Sequence, residues 1–307
     1  MLTFSNCEYF QMAPVSNRRK TIKQLLAGSA MLATGTAVSS FASGPLTNTA
    51  PMALKGNINH SVCRWCYNNI PLDQLCSIVK EMGLVGIDLV GPREWDMLKK
   101  HNLISTMCNG AEISLVKGWN DPQYHSTLIK SYSDHIELVS KAGYTNLICF
   151  SGNRNGMDDE TGLKNCVEGL KQIMSLAEKK GVVIQMELFN SKIDHKDYMC
   201  DSSAWGVELC KRIGSPNFKL LFDIYHMQIN EGDIIRTIKN NHEYFGHYHT
   251  AGVPGRHEID ESQELFYPAI MKAIVETGFK KYVAQEFIPT GNDQLGSLRK
   301  AIQICDV

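Results

Sequence analysis

Residues 159–188 read DETGLKNCVEGLKQIMSLAEKKGVVIQMEL: an acidic start, an amphipathic run, a Lys-Lys-Gly stop and an apolar tail. Within the run, Leu163, Val167, Leu170, Met174 and Ala177 recur every three to four residues, the spacing that lines one buried face of an α-helix. Gly181 stands where that helix must end, because glycine takes the left-handed closing conformation without a Cβ clash. The tail VVIQMEL is too short for a second helix and opens on β-branched residues, so it reads as a buried strand. Helix, glycine, strand is one step of an alternating fold, and its repetition along the chain decides the architecture.

The step recurs. Strand-like runs are INHSVCR (from Ile58), VGIDLV (from Val85), ISTMCNG (from Ile104), NLICFSG (from Asn146), VVIQMEL (from Val182), KLLFDIY (from Lys219), FGHYHT (from Phe245) and YVAQEFI (from Tyr282). Gly83, Gly143, Gly181, Gly214 and Gly278 supply helix stops between them, and Pro71 sits near a helix start. Eight strand–helix units predict an α/β protein with a single (β/α)8 TIM barrel over residues 45–307, its parallel strands buried on both faces. A doubly wound open sheet is the rival. It would bring a glycine-rich phosphate loop after an early strand, and neither GxGxxG nor GxxxxGK[ST] occurs. The segment NGAEISLVKGWNDPQYH from Asn109 is long and polar-aromatic, and reads as a lid or pocket wall.

Residues 1–44 stand apart from this pattern. Arg18, Arg19, Lys20 and Lys23 precede a mild apolar stretch and small residues around Ser40-Phe41-Ala42, the layout of an export signal with a twin-arginine-like start. The expectation is a removed leader and a periplasmic protein with no stable membrane insertion, or a cytoplasmic one if the leader is silent. A basic amphipathic helix is the alternative for this segment. Of the 307 residues, 43% are hydrophobic and the net charge is -1; the leader is basic, so the body is mildly acidic. That lacks the basic footprint of a nucleic-acid binder. Ten cysteines, one of them in the leader, leave an odd number in the body, which argues for buried thiols rather than a disulfide framework. The only CxxC, CRWC at 63–66, lies at a strand end and has no second half with which to complete a four-cysteine zinc site.

In such a barrel the chemistry sits at the C-terminal ends of the strands. Glu187, Asp223, His249 and Glu286 fall at four consecutive strand ends, separated by 36, 26 and 37 residues. An unpaired buried carboxylate is costly, so four such groups in register within apolar strands point to one shared site. Two glutamates, an aspartate and a histidine suit octahedral Mn2+ or Mg2+ with room for water and substrate oxygens better than closed zinc. His226, three residues after Asp223, and Arg256, seven after His249, read as substrate-binding groups, imidazole for a hydroxyl or carbonyl and guanidinium for an anion. An ion pair with Glu258 is the alternative for Arg256. His247 shares a strand face with His249, and His247, His257 and Glu258 read as weaker candidates for support behind the ligands.

The stretches MELFN, FDIYHMQINEG, GHYHTAGVPGRHE and QEFIP, together with VCRWCY and GIDLVGPREW, resemble hydroxypyruvate isomerases of the xylose-isomerase-like barrel superfamily. That resemblance implies a metal-dependent isomerase in which Glu187 and Glu286 transfer the proton and also bind the metal, with Asp223 as a further ligand. The implied reaction passes through an enediolate of a hydroxy-ketone, hydroxy-aldehyde or sugar-type substrate. Such isomerases usually carry Gln where this chain has His249, whereas ketose 3-epimerases carry His. A ketose 3-epimerase or inosose-type enzyme is therefore the alternative. A phosphodiesterase of the apurinic-endonuclease kind would need histidines at earlier strand ends, where DLVGP and MCNG have none. A non-catalytic exported sugar-binding barrel would not require both glutamates. A homo-oligomer is compatible with the sequence, which leaves the oligomeric state open.

Overall fold

A computed structural model of the chain describes residues 52–307, and the leader read in residues 1–44 lies outside them. Eight strands follow one another as β1 (Asn59–Cys63), β2 (Gly86–Asp88), β3 (Ile104–Ser105), β4 (Asn146–Cys149), β5 (Val183–Glu187), β6 (Phe218–Asp223), β7 (Phe245–Thr250) and β8 (Tyr282–Gln285). Between and after them run α1 (Leu72–Glu81), α2 (Trp95–Lys100), α3 (His125–Ala142), α4 (Asp159–Lys180), α5 (Ser203–Ile213), α6 (Ile224–Asn230), α7 (Ile234–Asn241), α8 (Tyr267–Glu276) and α9 (Gln294–Cys305). All strand pairs are parallel, in the order β3-β2-β1-β8-β7-β6-β5-β4. The two edges meet through Cys108, whose N–H donates to Asn146 O at 3.0 Å and whose carbonyl accepts from Ile148 N at 3.0 Å. The ring thus closes three residues beyond the end of β3, and the expected (β/α)8 barrel is formed.

The sequence signals act where the pattern placed them. Gly143, Gly181 and Gly214 close α3, α4 and α5 in the left-handed conformation, each donating its N–H back to a carbonyl of the last turn. Leu163, Leu170, Met174 and Ala177 of α4 are buried against the barrel wall. Every strand but β3 contributes buried apolar side chains, and the partly buried Ile104 of β3 packs against the same core. Gly86 is needed for close approach: a Cβ there would stand 2.2 Å from Ile104 O, forcing β2 away from β3 two residues before Asp88. At the base of the barrel, Lys55 N donates to Asp306 Oδ2 at 2.9 Å and Asn57 Nδ2 to Val307 O at 2.8 Å, tying the start of the described chain to its end.

Two sequence expectations are refined. The segment after β3 is tied to the exit of β4, where Trp119 N and Asn120 N donate to Phe150 O and Ser151 O and Trp119 is fully buried. The CRWC stretch leaves β1 as a short 3-10 helix, Arg64–Tyr67, and all nine described cysteines are free thiols. Among the described residues no helix is long and apolar enough to cross a membrane.

Candidate metal centre at the mouth of the barrel

The strand ends bring Glu187, Asp223, His249 and Glu286 together. One ligand atom from each lies within 4.8 Å of the others, and all four residues are buried. Asp223 divides its oxygens between two tasks. Oδ1 caps α6, accepting from Tyr225 N at 2.8 Å and His226 N at 3.3 Å, which leaves Oδ2 for the centre. The same short helix carries His226 back over the site. Glu286 Oε1 accepts from Trp65 Nε1 at 2.7 Å, so its Oε2 is the inward atom.

His249 is held at both ring nitrogens. Nε2 lies 2.8 Å from Asp88 Oδ2, while Nδ1 points inward, 2.7 Å from Glu286 Oε2 and 3.2 Å from Glu187 Oε1. Neither inward approach is aligned as a hydrogen bond, and His249 Nδ1 and Glu187 Oε1 are both buried without a hydrogen-bond partner. Buried lone pairs that converge without donors fit a cation coordinated by three carboxylates and an imidazole. The set is mostly oxygen with one nitrogen, which suits Mn2+ or Mg2+ chemistry.

The electrostatics follow from burial and proximity. Burial pushes the Glu187 carboxyl up to about 8 and that of Asp223 up to about 6; the neighbouring Glu286 charge adds to both, against the pull of His249 on each and of Arg256 on Asp223. Burial also acts to raise Glu286, but Arg256 and then His249 outweigh it and hold that carboxyl well below the usual range. Burial opposes the charged imidazole of His249, yet Glu286 and then the Cys63 and Asp88 side chains lift it well above the ordinary histidine value. A proton and a divalent cation are alternatives for Nδ1.

Arg256 occupies the rim. Its guanidinium lies 5.3 Å from the rings of both Trp65 and Tyr225, and Nη2 reaches Glu286 Oε2 at 2.5 Å and Asp223 Oδ2 at 3.3 Å. The backbone there is left-handed (φ 61°), and Arg256 O accepts from Ile288 N at 2.7 Å, which pins the loop to the exit of β8. The alternative pairing with Glu258 is not formed; Arg256 bonds to two of the candidate ligands at the rim instead. Glu258 accepts from Thr290 N, Thr290 Oγ1 and Gly291 N at 2.6, 2.8 and 3.2 Å, and His257 Nδ1 lies 3.1 Å from Ile288 O. Both brace the loop after β8 rather than the ligands, because the turn through Gly252–His257 directs them sideways. His247 does stand behind the centre, fully buried, with Nε2 3.2 Å from Asp88 Oδ1.

His226 faces an unusual neighbour. Asn190 Oδ1 accepts from Ile193 N and Asp194 N, so its amide nitrogen is the group 2.6 Å from His226 Nδ1. Nδ1 is therefore the acceptor and Nε2 carries the proton. That N–H meets Arg256 Nη1 at 3.0 Å and Asp223 Oδ2 only at 3.5 Å, so two donors converge with no acceptor lying close to both. Burial and then Arg256 keep this imidazole neutral by pulling it well below the ordinary value. Phe189 stacks on His195 (centroids 4.1 Å apart, 14° between planes) and meets His226 edge-on, forming an aromatic wall beside the donors.

The sequence reading missed two contributors, Asp88 at the end of β2 and Trp65 in the turn after β1. Asp88 is fully buried; burial would raise its carboxyl, but His247 and then His249 hold it far below the usual range. A charged residue inside the strand-like run VGIDLV was the available signal for the first, and the CRWC position at a strand end for the second.

The sequence profile described as xylose isomerase-like TIM barrel matches residues 95–304. A 2-oxo-tetronate isomerase of Cupriavidus necator is 33% identical over 130 residues, 42% of this chain and 49% of that protein. A Danio rerio protein named for hydroxypyruvate isomerase is 30% identical over 130 residues, 42% of this chain and 47% of its own. The chain thus spans about half the length of these curated relatives. Among solved structures, an AP endonuclease of family 2 from Brucella melitensis superposes with a TM-score of 0.69 at 23% identity, covering 78% of this chain and 97% of that one, a likeness of fold.

Proposed function

Because the chain belongs to the xylose isomerase-like TIM barrel family, we propose that it is a metal-dependent isomerase acting on a small hydroxy-carbonyl or sugar-type substrate, in the manner its hydroxypyruvate- and 2-oxo-tetronate-isomerase relatives are named for. The observation that carries the reading is the convergence of Glu187, Asp223, His249 and Glu286, with Glu187 Oε1 and His249 Nδ1 buried there without a hydrogen-bond partner. A bound Mn2+ or Mg2+ held by these four would polarise the substrate carbonyl and stabilise the charge that develops beside it. Glu187 and Glu286 flank His249 Nδ1 and serve as the proton-transferring pair, one removing the proton next to the carbonyl and the other returning one. The facing donors His226 Nε2 and Arg256 Nη1 suit a substrate oxygen or carboxylate that accepts from both. Trp65 orients Glu286, and Phe189 with His195 limits water on one side.

A ketose 3-epimerase is the second reading, favoured by His249 and by carboxylates on two sides of one centre, which allow the proton to return to the opposite face. The basic start of residues 1–44 supports export by a twin-arginine route. The deciding experiment is incorporation of solvent deuterium into hydroxypyruvate, ketohexoses and inososes with Mn2+ present. Exchange into one class identifies the reaction, and loss of exchange is expected in Glu286→Gln. No exchange into any of them with metal bound would reject the reading, and full activity in Glu286→Gln would reject the residue assignment.

A further inference from the structure

We propose that Asp88 is the positioning residue for His249, and that through His249 it sets both the affinity of the centre for divalent cations and its preference for Mn2+ over Mg2+. The inference rests on His249 being a ligand in the function proposed above. A carboxylate only accepts hydrogen bonds, so the 2.8 Å contact from Asp88 Oδ2 requires the proton on His249 Nε2. The imidazole lone pair is thereby placed on Nδ1, the atom aimed at Glu187 and Glu286. The opposite tautomer would present an N–H to the carboxylates and exclude a cation.

Asp88 is itself fixed. It is fully buried, Oδ1 accepts from Thr106 Oγ1 at 2.5 Å, and Thr106 Oγ1 lies 2.5 Å from Ser61 Oγ. With the Thr106 proton committed to Asp88, the Ser61 hydroxyl donates onward to Thr106 or to Gly86 O at 3.2 Å. The carboxylate is therefore tied to β1, the end of β2 and the turn after β3, while its other oxygen faces the barrel axis. His247 Nε2 adds a second imidazole 3.2 Å from Oδ1, and the Cys63 thiol, 3.8 Å from both Asp88 Oδ2 and His249 Nε2, fills the space that water would otherwise take. A full negative charge on the far nitrogen makes the near one a stronger donor. Nitrogen donation favours Mn2+ over Mg2+, whereas the three carboxylates serve both ions. The metal preference is thus written in a pair of residues 161 positions apart in the chain.

A fold brace is the competing role for Asp88, and a double-mutant cycle separates the two. Mn2+ and Mg2+ affinities would be measured by calorimetry on the full chain as wild type, Asp88→Asn, Thr106→Val, His249→Gln and the Asp88→Asn/His249→Gln double variant. Expected is a loss of Mn2+ affinity of about 10–100-fold in Asp88→Asn, with Mg2+ affinity falling by less than about threefold. In the His249→Gln background the Asp88 change should add little, and Thr106→Val, which removes one hydrogen bond from Asp88 and keeps its charge, should lower the Mn2+/Mg2+ ratio by less than Asp88→Asn does. Unchanged Mn2+ binding in Asp88→Asn, or an equal loss with and without His249, would overturn the proposal. Unchanged Mn2+ binding in His249→Gln would instead remove the ligand assignment beneath it. Should the Asp88 variants not fold, nitrogen NMR of the histidine-labelled wild type with Mg2+ decides: a proton on His249 Nε2 supports the proposal, and one on Nδ1 refutes it.

Discussion

Glu187→Gln is expected to abolish proton transfer and, with no divalent cation present, to make the fold more stable at alkaline pH. Burial pushes the Glu187 carboxyl from 4.5 up to about 8, and Glu286 and Asp223 add to the rise. In the unfolded chain the same group ionises near its ordinary value. Between those two values the native protein holds a proton that the unfolded chain has released. The stability this group contributes is therefore fully present below about 4.5 and lost as pH climbs through about 8. At ~1.4 kcal/mol per pH unit per proton, the loss is on the order of 3–5 kcal/mol. Glutamine keeps the shape of the neutral carboxyl and does not titrate. Urea unfolding in EDTA should then give matching stabilities near pH 4.5 and a variant more stable by that amount at pH 8.5. Saturating Mn2+ should reverse the order, because the variant lacks a charged ligand. A variant less stable than wild type at pH 8.5 without cation, or a difference independent of pH, would refute the reasoning.

Arg256→Met should destabilise the cation-free protein by about 3–5 kcal/mol, since it strands the buried Asp223 and Glu286 charges that the guanidinium now meets. Mn2+ should recover part of that loss, read from urea midpoints with and without the ion; an equal loss in both conditions would count against a shared site. Export is tested by changing Arg18 and Arg19 together to Lys: fractionation should show retention in the cytoplasm, and unaltered delivery to the periplasm would exclude the twin-arginine route.

The barrel was legible because its signals are local. A 3.6-residue stripe such as Leu163–Ala177 and a stop such as Gly181 are written within one element, and the strand ends that follow place Glu187, Asp223, His249 and Glu286 at one mouth. What stayed hidden depends on contacts made across the ring. Asp88 drew no role from the sequence, since its partner His249 stands 161 residues away. Arg256 was legible as a rim cation, but its partners depend on how the turn after β7 directs successive side chains. The left-handed backbone at Arg256 turns that residue toward the axis, while His257 and Glu258 reach the loop after β8. The run from Ile104 was read as the third strand, and the structure keeps Ile104–Ser105 of it; that the ring closes through Cys108 was not legible, because that pairing is made across the barrel.

The hydrogen bonds that complete the centre span the seam where β1 meets β8. Trp65 reaches Glu286 across 221 residues, and Asp88 reaches His249 across 161. The half of the barrel from β5 to β8 would own all four candidate ligands yet lack Trp65's grip on Glu286 and Asp88's hold on His249. Such long loops close late in folding, after local helices have formed. The geometry of the centre is therefore complete only once the ring has closed, the second half of the barrel supplying the ligands and the first half holding two of them in place.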